Sequence, residues 1–417
     1  MNTTVDKRFD CFILFFMVSY FFYVASSVGV LNWGDDATFF KIANEKDFNP
    51  YEWLSYRYNQ WSGRVSLELI MITTISKDLF WRIGIPASLL LLFYSISKIV
   101  FIKPTPKSMF FVMILVSICP VEITSESVFW VTGFYNYLLP CSLSLYCFSV
   151  IKEENPTKYS IVFASFSVLV FSFQEQVFFI FMLSCLFNYD LFKVKWRLFI
   201  MIVFLFCGAV LFSSPGNIER LNISYWGGYP QFIDFTPLEK VMLGMDKVYQ
   251  FFLLSSNWPV FVFVFFVVLN SFFKDDWSFS EGVSVIFSLL FLAFFIVDIQ
   301  RFPFSNKGYF DFLYRGGVTA DFTIGFLMYF CYLAFLFFVS SVFLLVLGQS
   351  REIRNVTIFV VFLGSVSVAM MGFSPTVYSS TYRVHFVFEV SIIIAILYQV
   401  KGFLNRLRIE KALFFAK

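Results

Sequence analysis

The side chains able to do chemistry fall in a few short stretches, and they are acids, arginines and amides set among aromatic residues. Asn32-Trp33-Gly34-Asp35-Asp36 places two carboxylates side by side directly after an apolar run. Such a pair can share a proton, bind a cation or take the proton of a substrate hydroxyl; an acidic helix cap is the plainer alternative. Asn59-Gln60-Trp61-Ser62-Gly63-Arg64 ends in a guanidinium at the mouth of another apolar stretch. It can clamp a carboxylate or phosphate with several fixed donors, or simply snorkel to an interface. Glu122 and Glu126 stand four apart, followed by Trp130, Gly133, Asn136 and Tyr137. Glu175 and Gln176 occupy a tight turn between two apolar runs. An acid so close to hydrocarbon is costly and marks either a function or a pairing inside a site. Ser214-Pro215-Gly216-Asn217 leads to Arg220, and Ser374-Pro375 leads to Arg383. Pro and Gly there fix turns whose free N–H groups can face an anion, or only shape the loops.

Several chemistries are excluded. The chain has one histidine, His385, so no motif built on several histidines can form. Its seven cysteines show neither disulfide nor zinc spacing, and most lie in apolar stretches. No phosphate-binding or dinucleotide glycine pattern occurs. A divalent metal beside Asp35 and Asp36 stays open, but none is expected to be obligatory. The basic residues are scattered through short loops and one tail, a poor arrangement for nucleic acid.

The elements that must position these residues are membrane helices. Of 417 residues, 59% are hydrophobic and 14% charged, against about a quarter charged in ordinary soluble domains. Mean hydropathy is +0.76. Such a surface is unfavourable in water and suited to a bilayer. Apolar blocks predict an all-α, polytopic protein with spans near 11-31, 81-101, 108-121, 136-151, 159-173, 177-192, 198-213, 250-272, 282-297, 321-347, 357-372 and 384-400. The first block has no small-residue cleavage pattern and is read as a retained span. Segment 64-76 carries Glu68 and is short for a crossing, so the expectation is 12 or 13 membrane helices in a single domain, 1-417. Basic clusters (Lys98, Lys103 and Lys107; Lys193, Lys195 and Arg197; the tail 401-417) alternate with acids such as Asp35, Glu126 and Glu175. That positive-inside pattern places both termini in the cytoplasm and the loops 32-63, 214-249, 298-320 and 373-383 outside. Trp33, Trp53, Trp61, Trp226 and Tyr229 in these loops suit an interface belt or a sugar-stacking surface.

The ordered series Trp33-Gly34-Asp35-Asp36, Asn59 to Arg64, Phe129-Trp130-Val131-Thr132-Gly133 with Asn136 to Pro140, Glu175, Ser214 to Asn217 with Arg220, and Ser374-Pro375 with Arg383 resembles the bacterial serotype-converting O-antigen glucosyltransferases. These are lipid-phosphate-sugar-dependent enzymes of the GT-C class. The resemblance implies a GT-C-like fold in the bacterial inner membrane with its site facing the periplasm. It implies undecaprenyl-phosphate glucose as donor and a hydroxyl, on rhamnose, of the lipid-linked O-antigen repeat as acceptor, with inversion. Asp36 or Asp35 would then be the base. Arg64, Arg220, Arg383 and Asn217 would hold the phosphate. Glu126, Glu175, Gln176, Asn136, Trp130 and Trp33 would bind or orient the sugars. Membrane lipids, a lipid-phosphate glucosyl synthase and a flippase are the implied partners. Many related enzymes of the class carry a soluble C-terminal domain, whereas only 401-417 follows the last span here. An O-antigen polymerase or other lipid-linked glycan transferase is the alternative, and a lipid-glycan flippase or transporter the more distant one.

Overall fold

The computed structural model describes residues 3–227, 230–253, 257–274, 276–301 and 326–407. Most of the expected loop 298–320 and the end of the tail 401–417 lie outside the described residues, as do Tyr229 and the Trp226 side chain. The protein is a polytopic, all-α membrane protein. Among the described residues, eight helices are long and apolar enough to cross a bilayer, from Phe9–Ser27 to Arg383–Arg406. A further pair, Pro106–Ser117 and Val121–Phe129, is bent by 98° next to Cys119-Pro120, where the ring removes an N–H and breaks the ladder.

Four of the expected segments form shorter apolar helices: Val65–Thr74, Lys158–Phe171, Glu175–Phe187 and Trp258–Ser271. At about 1.5 Å per residue none reaches a hydrocarbon core of about 30 Å. Segment 64-76 is therefore a short packed helix. The expected span 250-272 divides, because helix Pro237–Leu253 ends before Asn257 caps a new one by accepting from Val260 N at 3.1 Å. The expected loop 32–63 is itself mostly helical, with Gly34–Ala43 and Pro50–Gln60. Asn49 caps the latter by accepting from Tyr51 N at 3.0 Å, and Pro50 follows at the first helical position, the usual start signals.

The chain divides into two compact units. The first comprises 1–114, 122–227 and 382–387; the second comprises 115–121, 228–381 and 388–417. In the first, helix Asp78–Phe101 packs on Leu139–Lys152, which packs on Lys158–Phe171. In the second, Phe279–Arg301 pairs with Phe326–Leu347, and Pro237–Leu253 lies against Arg351–Ala369. Many phenylalanines point outward. Helix Thr3–Ser27 turns Ile13, Met17 and Val24 inward and exposes Phe12, Phe15 and Phe22. In hydrocarbon this costs nothing.

Candidate functional site

All the acids and arginines singled out above belong to the first unit. A small apolar cluster of Leu67, Phe173, Cys207 and Leu211 brings their segments together. Leu67 sits three residues after Arg64, Phe173 two before Glu175, and Leu211 just ahead of the Ser214–Asn217 turn. Asn217 ties this turn to the Arg64 loop. Its Oδ1 accepts from Gly63 N at 3.4 Å and its Nδ2 donates to Leu211 O at 2.8 Å. Ser214 Oγ donates to Tyr58 O at 2.5 Å. Gly63 is required by this close approach, since a side chain there would collide with the Leu211 carbonyl. Gly63→Ala should destabilise the solubilised protein by about 3 kcal/mol through this backbone clash. Thermal unfolding in detergent measures it.

Beyond the cluster runs a continuous polar chain. Gln174 caps its helix by accepting from Val177 N at 2.7 Å, so Glu175 and Gln176 emerge in the first turn, where the helix dipole favours a carboxylate. Arg64 Nε and Nη2 lie 2.8 and 2.6 Å from Glu175 Oε2. Arg220 Nη2 lies 3.4 Å from Glu175 Oε1. Arg64 Nη1 donates to Asn136 Oδ1 at 2.9 Å, and Asn136 Nδ2 donates to Thr132 O at 2.9 Å. Thr132 N and Oγ1 donate to Asp36 Oδ1 at 2.9 and 2.5 Å, while Leu31 N donates to Asp36 Oδ2 at 3.0 Å. Residues from 36 to 220 thus form one network.

A second group adjoins it. Glu126 accepts from the backbone N–H groups of Tyr382 and Arg383, both at 3.1 Å. This holds the Arg383 guanidinium over the Trp130 ring, 5.2 Å from its centre. Arg383 Nε and Trp130 Nε1 are both buried without a hydrogen-bond partner among the described residues. Gln176 Nε2 donates to Val384 O at 3.2 Å, fastening this group to the helix that carries Glu175. Glu126, Trp130, Thr132 and Asn136 lie on or between two π-helical stretches, Ser125–Phe129 and Phe134–Leu138. Such widened turns re-aim side chains and recur at functional sites.

The electrostatics follow the geometry. Glu175 precedes the apolar part of its helix and lies outside the spanning segments. Burial opposes its charge, but the Arg64 and Arg220 guanidinium groups outweigh it and hold the carboxyl down at about 2. Burial also works against the charge of Arg64, and Glu175 overcomes it, so that its affinity for the proton rises. For Arg220 burial prevails and its pKa falls. The asymmetry matches the distances: Arg64 holds Glu175 closely, whereas Arg220 touches it loosely. One carboxylate faces two guanidinium groups here, and the Arg383 guanidinium has no acidic partner among the described residues. The arrangement can receive an anion.

The remaining candidates part ways. Asp36 is fully buried, whereas Asp35 is exposed. Trp33 is 71% exposed and joins no bond described above. Three participants were not singled out from sequence. Thr132 links Asp36 to Asn136, and its position one helical turn before Asn136 was the available signal. Arg57 and Glu68 form an ion pair at 2.6 Å, with the Arg57 guanidinium near the rings of Phe39, Trp53 and Trp61. Among the described residues no three His, Cys, Asp or Glu side chains converge as metal ligands.

The fold and these contacts define a polytopic helical membrane protein with a polar site of acids, amides and arginines in its first unit. No family model matches the chain, and neither a curated protein nor a solved structure matches it.

Proposed function

We propose that this protein is an inverting glycosyltransferase of GT-C type. It would move glucose from undecaprenyl-phosphate glucose to a hydroxyl, on rhamnose, of a lipid-linked O-antigen repeat. The reading places it in the bacterial inner membrane with both termini in the cytoplasm and the site facing the periplasm. A cytoplasmic synthase of the lipid-phosphate sugar and a flippase would supply the donor. The observation that carries the reading is that Arg383 Nε and Trp130 Nε1 are buried without an acceptor among the described residues, beside an Arg220 held only loosely, 3.4 Å from Glu175. A leaving lipid phosphate supplies that acceptor.

In the proposed step the acceptor oxygen attacks the anomeric carbon as the bond from that carbon to the phosphate oxygen breaks. The phosphate leaves with the bonding pair, stabilised by Arg383 and Arg220, and the acceptor proton passes to a carboxylate. We assign that role to Asp35, which is exposed. Asp36 has both oxygens engaged and no exposed surface, so it anchors the first turn of the helix that presents Asp35. Arg64, locked to Glu175 and Asn136, sets the floor of the site. No metal is required by this step, because the leaving group is already a phosphate.

The test is glucose transfer by purified protein from lipid-phosphate glucose to the lipid-linked acceptor. Asp35→Asn should retain its fold and lose about 10²–10⁴-fold in turnover. Asp36→Asn should instead lower stability by about 1–3 kcal/mol, since an amide N–H would face Thr132 or Leu31 donors. Full turnover in Asp35→Asn removes the base assignment. Failure of the wild-type protein to use lipid-phosphate glucose removes the reaction itself.

A further inference from the structure

The second unit holds a polar pocket that the proposed reaction does not use. It is lined by Asn270, Lys274, Trp277, Glu281, Gln349 and Arg406, among others. These residues stand where several helices end together: Trp258–Ser271 and Phe326–Leu347 finish there, Phe279–Arg301 and Arg351–Ala369 begin, and Arg406 is the last residue of Phe386–Arg406. The pocket therefore lies at one end of the helices of this unit.

A buried amide network adjoins it. Gln399 is fully buried. Asn270 Nδ2 donates to the Gln399 backbone oxygen and to Gln399 Oε1, both at 2.9 Å. A backbone oxygen can only accept, so the orientation of Asn270 is determined. Gln399 Nε2 must then donate, and it does so to Gln349 Oε1 at 2.8 Å and Thr357 Oγ1 at 3.0 Å. Two atoms are left over at the ends of this chain: the donor Gln349 Nε2 and the acceptor Asn270 Oδ1. Both are buried, and neither has a hydrogen-bond partner among the described residues. Gln349 is only 7% exposed and Asn270 only 1%. Leaving such groups unpaired costs about 1–3 kcal/mol each, so a ligand that satisfies both is favoured.

Charge narrows the ligand. Lys274 Nζ pairs with Glu281 Oε1 at 2.6 Å. Arg406 donates to the Asn270 backbone oxygen and has no carboxylate partner among the described residues. Among the described residues the lining therefore carries one uncompensated positive charge. The cavity is small, about 10 Å³ in all, room for a single phosphate oxygen or one water. Trp277, 39% exposed, provides an amphipathic ring of the kind that sits at headgroup level.

We propose that this pocket binds a phosphate group bearing its own hydrogen-bond donor, as in the headgroup of a glycerophospholipid with a terminal hydroxyl or ammonium. The phosphate accepts from Gln349 Nε2, Lys274 and Arg406. The attached donor serves Asn270 Oδ1. Free phosphate shares the first part of this chemistry but is not held by a lipid anchor.

Native mass spectrometry of the full-length protein in detergent tests this, with phosphatidylglycerol, phosphatidylethanolamine, phosphatidylcholine and inorganic phosphate added in turn. Phosphatidylglycerol or phosphatidylethanolamine should be retained at least about tenfold better than phosphatidylcholine, whose headgroup has no donor. Gln349→Glu keeps the bond to Gln399 but turns a carboxylate oxygen toward the phosphate, and it should abolish that preference. Lys274→Met, at a partly exposed side chain, should weaken retention several-fold and serves if Gln349→Glu does not fold. Equal retention of all three lipids, or unchanged retention in Lys274→Met, overturns the proposal. Retention of inorganic phosphate with no lipid preference would identify a free-anion site instead and also overturn the lipid assignment.

Discussion

Replacing Glu175 by Gln should destabilise the protein by about 2–4 kcal/mol. Removing one partner of a buried pair costs about 3–5 kcal/mol because the other charge is left without compensation. Here the side chains keep 19–32% exposure, which lowers the figure, but two guanidinium groups are orphaned rather than one. Thermal unfolding in detergent should show the loss, and the double variant Glu175→Gln/Arg64→Gln should recover part of it. Unfolding equal to wild type would mean that the ion triad contributes nothing. The pH dependence has a definite sign. Glu175 titrates near 2 when folded, against an ordinary 4.5. A depressed carboxyl stabilises the fold above its unfolded value, and that contribution is lost as the pH falls from 4.5 toward 2. Between about pH 5 and 8 Glu175 should add no pH dependence, and the Gln variant should lack this part of the acid transition.

Arg383→Ala should produce a large loss of activity at little cost in stability. Its guanidinium makes no ion pair with the described residues, and its contact with Trp130 is worth about 0.5–2 kcal/mol. If it stabilises charge developing on the leaving phosphate, turnover should fall about 10²–10³-fold. Trp130→Phe retains a ring beneath the guanidinium but removes the N–H, so its loss should be smaller. Steady-state transfer rates with varied donor separate kcat from KM. A variant Arg383→Ala with unchanged kcat and donor KM is incompatible with phosphate contact. Arg64→Ala should differ by losing stability as well as turnover, since Arg64 is built into the network with Glu175 and Asn136.

The membrane character of the chain was legible because hydropathy is a local property, recorded in every apolar block. The polar stretches were legible for a similar reason, since an acid or arginine beside hydrocarbon is conspicuous. Helix length was harder to read. The run 250–272 looks continuous in hydropathy, yet the cap at Asn257 restarts the helix. The run 32–63 looks like a loop because it is polar, yet Asn49-Pro50 begins a regular helix there. Arg57 has no local signal, and Glu68 marked only a charge within a short apolar segment; the fold brings them within 2.6 Å.

By itself the sequence determined that this is a helical membrane protein, and it identified the acids, amides and arginines from Asp36 to Arg383 that the fold brings into bonded groups. Only the tertiary structure decided how they divide the work. It buries Asp36 and exposes Asp35, gives Glu175 to both Arg64 and Arg220, and sets the Arg383 guanidinium over Trp130. The reason is that such pairings depend on which distant segments pack together. Leu67, Phe173, Cys207 and Leu211 form one apolar cluster, and no local pattern in the chain records that they meet.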